Sequence, residues 1–221
     1  MTSLNTAGPL TLVFVAGAGL VGLILSPLVE LLIVRILPRF GSLPGIRTRI
    51  TTAAIAGVLC AAFAFRLGTA PELPAYLLLV ILGSQLARID VSLHLLPNPL
   101  VLSLLLGGLL LLLGAALGGE QWSSLVRAAA GAAILFVIYL ILALISPGSL
   151  GMGDVKLAAP IGLYLGYLGW SQLLYGGLLG FILNGVITVL AVRRNRAERT
   201  SEVPHGPSML ASAVGIALFF G

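Results

Sequence analysis

An all-α, polytopic membrane protein of about eight transmembrane helices is the fold this sequence predicts, and three observations carry it. Hydrophobic residues make up 59% of the 221 residues and charged ones only 9%. A soluble domain carries about 25% charged residues, so this chain cannot cover itself with polar surface. Successive apolar stretches approach the roughly 20 residues that cross a bilayer as a helix. Alternating barrel patterning is absent, and runs such as Leu104 to Leu113 are apolar on every face. Open strands would leave unpaired backbone groups in lipid.

The spans follow in order. The first, near 10–30, precedes a basic segment from Arg35 to Arg49. No Lys or Arg stands ahead of it, so a cleaved signal peptide is not expected. The second, near 50–66, holds Cys60, the single cysteine. A lone thiol in an apolar span reads as a small core residue, since free cysteine is readily buried. The third, near 74–89, carries Ser84 and Gln85, which with Asn184 read as interhelical hydrogen-bonding groups. Pro97-Asn98-Pro99 breaks any helix before the fourth span, near 99–118. The fifth, near 128–146, runs into Pro147-Gly148. The sixth, near 155–170, and the seventh, near 172–192, carry Gly162 and Gly166, and Gly176 and Gly180. Glycines four apart let helix backbones approach closely. A polar segment from Arg193 to Gly206 leads to a short eighth span near 207–220. Connections are brief, so residues 1–221 are expected to form a single transmembrane domain.

The formal charge of +5 does not point to nucleic acid, because the arginines cluster in short loops between spans. That pattern is an orientation signal. If the loop with Arg35, Arg39, Arg47 and Arg49 is cytoplasmic, the same side receives Arg88, Lys156, Arg193, Arg194, Arg196 and Arg199. The other side keeps only Arg66 and Arg127 of the 12 basic residues. The asymmetry places the N-terminus outside and both aspartates at the cytoplasmic edge.

Those aspartates, Asp90 and Asp154, are the chain's only two. A carboxylate beside hydrocarbon is expensive and marks a function by default. Taken alone, each has a plain structural reading: Asp154 as a helix cap, Asp90 as a span end paired with Arg88. Together they suggest a proton-sharing pair. Two carboxyls a few ångströms apart cannot both ionise readily. The charged one accepts a proton from water; the neutral one bonds a scissile carbonyl and later serves the leaving amine. Gly151 and Gly153, beside Asp154, leave room for another backbone. Lys156 reads either as a snorkelling anchor or as an electrostatic neighbour that tunes Asp154. His94 and His205 read as interfacial polar residues, and with two distant aspartates they make a poor metal site. Neither a metal nor a cofactor is expected.

The residues resemble a known family. Gly151-Met152-Gly153-Asp154-Val155-Lys156-Leu157 is similar to the G-x-G-D-x-K-L signature of the type IV prepilin peptidases, which are GxGD-type membrane aspartic proteases of the A24 kind. Asp90, seven positions before Pro97-Asn98, resembles the family's first aspartate motif. Pro204-His205-Gly206-Pro207 is similar to its late P-F-G-P segment, with His205 in place of the aromatic residue. The resemblance covers roughly residues 50 to 221. It implies catalytic Asp90 and Asp154 and an active-site loop of Gly151, Gly153 and Lys156. The implied substrates are type IV prepilins or pilin-like secretion subunits, cut on the cytoplasmic side of the bacterial inner membrane. Many members carry a loop insertion with paired C-x-x-C motifs linked to N-methylation. The first loop here has no cysteine, so a compact member limited to leader cleavage is expected. The rivals are a pilin-binding scaffold without activity and a proton-coupled transporter using the carboxylates as a relay. Carriers usually hold such acids near mid-membrane within repeats, and no repeat is evident here.

Overall fold

The computed structural model describes residues 8–36, 43–119, 121–146, 150–194 and 204–221. Among these described residues, eight helices occupy the eight expected places: α1 Pro9–Ile36, α2 Ile46–Leu67, α3 Leu73–Leu93, α4 Asn98–Gly119, α5 Trp122–Ile145, α6 Met152–Leu168, α7 Trp170–Arg194 and α8 Gly206–Phe220. Among the described residues six of these are long and apolar enough to cross a membrane; α6 and α8 are shorter. The chain is a multi-pass, all-α membrane protein. Arg39, Arg196 and Arg199 of the basic segments, and Pro147 and Gly148 before the glycine motif, lie outside the described residues. The chain divides into two compact units, 1–85 and 86–221, with the boundary inside α3.

In the first unit α1 and α2 pack antiparallel. Gly22 faces Ala56 and Cys60, Gly19 faces Gly57 and Ala61, and Glu30 meets Arg49. A Cβ on Gly22 would sit 2.7 Å from both the Ala56 carbonyl oxygen and the Cys60 Sγ, so only glycine permits this approach. Cys60 is buried, as expected. Gln85 of α3 donates to the Ser26 carbonyl at 2.9 Å and bonds its Oγ at 3.0 Å, the expected interhelical role. Ser84 instead turns back to Ile81 of its own helix. The helix starts at Ile46, so Arg47 and Arg49 are helical and not loop residues. Arg49 Nε lies 3.1 Å from buried Glu30 Oε2. It is thus an ion-pair partner within the first unit.

The second unit is built around α6. Twelve of its 17 residues are buried, on every face. Its neighbours approach through small residues. Gly131 of α5 lies over Gly162 and Gly166, Gly108 of α4 over Tyr164, and Gly176 of α7 over Leu165. Gly180 of α7 faces Met209 and Ser212 of α8. The expected pairs of glycines are therefore contact points between helices. Arg127 closes the far end of α6: its guanidinium donates to the carbonyls of Gly166 (2.8 Å) and Tyr167 (2.7 Å). A cation there satisfies orphan carbonyls and complements the helix dipole.

The register fixes direction. Asn98 pairs with Lys156 and Gly108 with Tyr164, so α4 runs parallel to α6. Gly221 abuts Leu168, and Leu96 touches both Gly153 and Gly206, so α8 does too. The N-termini of α4, α6 and α8 therefore share one end.

The α5–α6 seam yields a test. A Cβ on Gly162 would overlap the Gly131 carbonyl oxygen and lie 2.9 Å from the Ala132 Cα. Gly162→Ala should cost about 1–3 kcal/mol through overpacking, read as a lower unfolding temperature in detergent. Gly114 has nothing within 4 Å of such an atom. Gly114→Ala should be neutral or stabilise by up to about 1 kcal/mol.

Candidate active site

Asp90 lies in the last turn of α3, which continues to Leu93, a few residues past the expected end. His94 follows in the left-handed region, with φ 52°, and its N–H returns to the Asp90 carbonyl at 2.9 Å. Positive φ is uncommon for a residue with a Cβ, and histidine is among the types that tolerate it. This turn sends the chain sideways through Leu95 and Leu96 to Pro97, where α4 begins. His94 is exposed, in keeping with its reading as an interfacial residue.

Asp154 lies in the first turn of α6, which starts at Met152 rather than at the aspartate itself. Gly151 is the N-cap residue, and its backbone N–H bonds the Asp154 carboxylate. An acidic side chain at the third helical position reaching back to the cap is the reciprocal half of a capping box. The helix dipole favours the same charge.

The loop after α3 packs directly on the glycine motif. A Cβ on Gly153 would lie 3.0 Å from Leu96 Cβ, and one on Gly206 would lie 3.4 Å from Leu96 Cδ1. Leu96 thus sits between the start of α6 and the start of α8. From α8, the Gly206 N–H donates to Asp90 Oδ2 at 3.1 Å. A side chain on Gly206 would stand 2.6 Å from that oxygen, so glycine is what allows the bond. At the surface, Lys156 Nζ donates to Asn98 Oδ1 at 3.0 Å. The lysine therefore ties the two aspartate segments together.

Asp90 is 5% exposed and Asp154 9%. Asp154 stands ahead of the apolar body of α6, outside the six long spans. Burial pushes its carboxyl up to about 6; the charge on Asp90 adds to the rise, and the Gly151 N–H opposes it. The two groups are close enough to feel each other, which the sequence could suggest but not establish. Such a pair holds one proton more readily than none.

Next to it lies a cluster that sequence reasoning missed. His205, read as interfacial, is 6% exposed. Its Nε2 lies 3.1 Å from the Tyr139 hydroxyl of α5. Its ring packs 5.0 Å from Phe181 of α7, which in turn stacks on Tyr139. Burial pushes the His205 imidazole down to about 4, so it is neutral near neutral pH. Tyr139 sits inside an apolar span with no motif around it. The only hint of the cluster was the imidazole in the late Pro-x-Gly-Pro segment.

Fold and site together define a multi-pass helical membrane protein with two buried aspartates at converging helix ends. Residues 75–189, just over half the chain, match the type IV leader peptidase family, and the chain belongs to that family. It is 32% identical over 169 residues to a prepilin leader peptidase/N-methyltransferase of Stutzerimonas stutzeri, covering 75% of this chain and 56% of that one. It is 34% identical over 150 residues to the protein of that name from Aeromonas salmonicida (66% and 49% covered). Against the one from Burkholderia pseudomallei it is 30% identical over 137 residues (62% and 43%). The chain spans about half the length of these curated relatives. No solved structure gives a significant match.

The Lys156–Asn98 tie can be measured by a double-mutant cycle. Lys156→Met and Asn98→Ala should each lower stability by about 1 kcal/mol or less, as an exposed bond implies. The double variant should lose about 0.5–1 kcal/mol less than the sum of the two. Additive losses would mean that the bond contributes nothing.

Proposed function

We propose that this protein is a membrane-embedded aspartic endopeptidase that removes the leader of type IV prepilins or pilin-like proteins. The observation that carries this reading is the pair of buried carboxylates, Asp90 and Asp154, close enough for the charge of one to act on the other. Both aspartates lie within the segment that matches the leader peptidase family. The whole chain acts as one peptidase domain in a bacterial inner membrane, with the N-terminus outside and the basic stretch 35–49, which includes the end of α1 and the start of α2, on the cytoplasmic side. Cleavage falls at the cytoplasmic face. The activity proposed is leader cleavage alone, without methyl transfer.

In the resting site one carboxyl is protonated and the other ionised. The ionised group takes a proton from water, which attacks the scissile carbonyl. The protonated group donates to that carbonyl as charge develops on it. The proton taken from water then passes to the leaving amine. The proton belongs to the pair, so neither aspartate is permanently the acid. Gly153 and Gly206 let the loop after α3 pack closely on the starts of α6 and α8, and Gly151 leaves room beside the Asp154 carboxylate. The precursor's apolar helix lodges in the bilayer among the spans, while its basic leader presents the bond at the interface.

The transporter reading would put the acids at mid-membrane. Asp90 in a last helical turn and Asp154 in a first one favour the peptidase.

Asp90→Asn and Asp154→Asn should each lower cleavage of a co-expressed prepilin by about a thousandfold or more, with membrane insertion intact. Normal processing by either variant would end the dyad reading. Asp154 titrates higher in the folded protein than its ordinary carboxylate value. Its stabilising contribution is complete below about pH 4 and is lost as pH rises through about 6. Asp154→Asn should therefore melt at an equal or higher temperature than the parent at neutral pH, and the difference should vanish near about pH 4. Gly206→Ala should keep the fold but lower cleavage by about tenfold or more, because the Asp90 carboxylate must leave its N–H partner.

A further inference from the structure

Asp90 depends on one short turn of chain. The backbone bond to its carboxylate comes from Gly206, the first residue of α8. The residue just before, His205, is the turn's anchor in the interior. Its ring lies tilted against the stacked pair of Tyr139 of α5 and Phe181 of α7, with centroid distances of 5.7 Å and 5.0 Å. Stacking fixes the plane of a ring but lets it slide and rotate. The bond from His205 Nε2 to the Tyr139 hydroxyl, 3.1 Å long and buried, removes that freedom. A buried polar bond in low dielectric is strongly directional, and it is the hydrogen bond that the imidazole makes here, its Nδ1 being buried without a partner. Tyr139 is itself 1% exposed and lies within Coulombic reach of Asp154. The pair thus joins α5, beside Asp154, to the turn whose next residue bonds Asp90.

We propose that Tyr139 and His205 form a positioning pair for Asp90, fixing the turn that opens α8 and, through it, the Gly206 N–H on the carboxylate. The pair touches no reacting atom. It sets where the Asp90 oxygens stand relative to Asp154, and this inference rests on the dyad reading above. Its signature is a loss in the chemical step with substrate binding unchanged, because the leader and its apolar helix are held elsewhere.

The test uses the full-length protein in proteoliposomes with a purified prepilin of basic leader and apolar helix. Tyr139→Phe keeps the ring and loses only the hydroxyl; His205→Phe keeps an aromatic ring in the cluster and loses both imidazole nitrogens. Each should lower kcat by about ten- to hundredfold, the scale of a misplacement near 1 Å, with KM unchanged and the protein still folded, its unfolding temperature lowered only by the loss of one buried bond. His205→Gln, whose amide reaches the position of Nε2, should recover kcat to within about threefold of the parent, since it restores the restraint. Full kcat in Tyr139→Phe would overturn the proposal. So would a fall in kcat matched by a fall in folded protein, or a failure of His205→Gln to recover more than His205→Phe. Asp90→Asn and Asp154→Asn run alongside: if either still cleaves, the dyad reading itself fails. If both are silent while Tyr139→Phe is fully active, only the positioning pair fails.

Discussion

Three helices that begin at one end of the second unit supply what two buried carboxylates require. α4, α6 and α8 run parallel, and their N-termini meet beside the last turn of α3. A helix N-terminus offers unpaired N–H groups and a positive dipole end. Asp154 takes its share from its own helix, through the Gly151 N–H. Asp90 cannot, because it stands at the negative end of α3. Its N–H comes from Gly206, at the start of a helix more than a hundred residues away in sequence. The convergence of helix starts is the constraint on which the remaining geometry depends.

That convergence has a packing cause. Helices can gather round α6 only if their backbones come close, and each neighbour presents a small residue to it: Gly108, Gly131, Gly176. In a membrane there is no hydrophobic drive between helices, so close packing and polar bonds have to hold them. Arg127 fixes the distal end of α6, while Leu96 and the Lys156–Asn98 bond fix the proximal end. Between those clamps the central helix has little freedom to slide. The separation of the two carboxylates is thereby a property of the bundle rather than of either loop.

Much of this could be read from the chain before folding was considered. Helices stand where unbroken apolar stretches stood, because in lipid an apolar run of that length has one stable form. Their ends moved by a few residues: α2 took in Arg47 and Arg49, and α3 ran past Asp90 to Leu93. Hydropathy marks where a chain prefers lipid, and helical hydrogen bonding continues beyond that. Both aspartates and their glycines were legible because acid in so greasy a sequence is rare. Glu30 escaped notice although it is more buried than either aspartate, since its partner Arg49 lies on another helix. Tyr139 and Phe181 were invisible for the same reason. An aromatic residue in a span looks like any other, and only tertiary packing decides that it meets His205.

The contrast between the two aspartates follows from that same tertiary dependence. Asp154 carries its environment with it: cap, dipole and glycines are all within a few residues, so a short motif can specify them. Asp90 is completed by residues from the distant start of α8 and, behind them, from α5 and α7. Its own helix supplies no such N–H, and the one that reaches it comes from the residue after His205. On the proposed dyad reading, both members have to be placed to a fraction of an ångström for a proton to be shared. The member with the remote support is the one whose placement the rest of the fold must guarantee. An imidazole hydrogen-bonded to a phenol at that point of support is a firmer restraint than a hydrocarbon contact would be, because it resists rotation as well as separation.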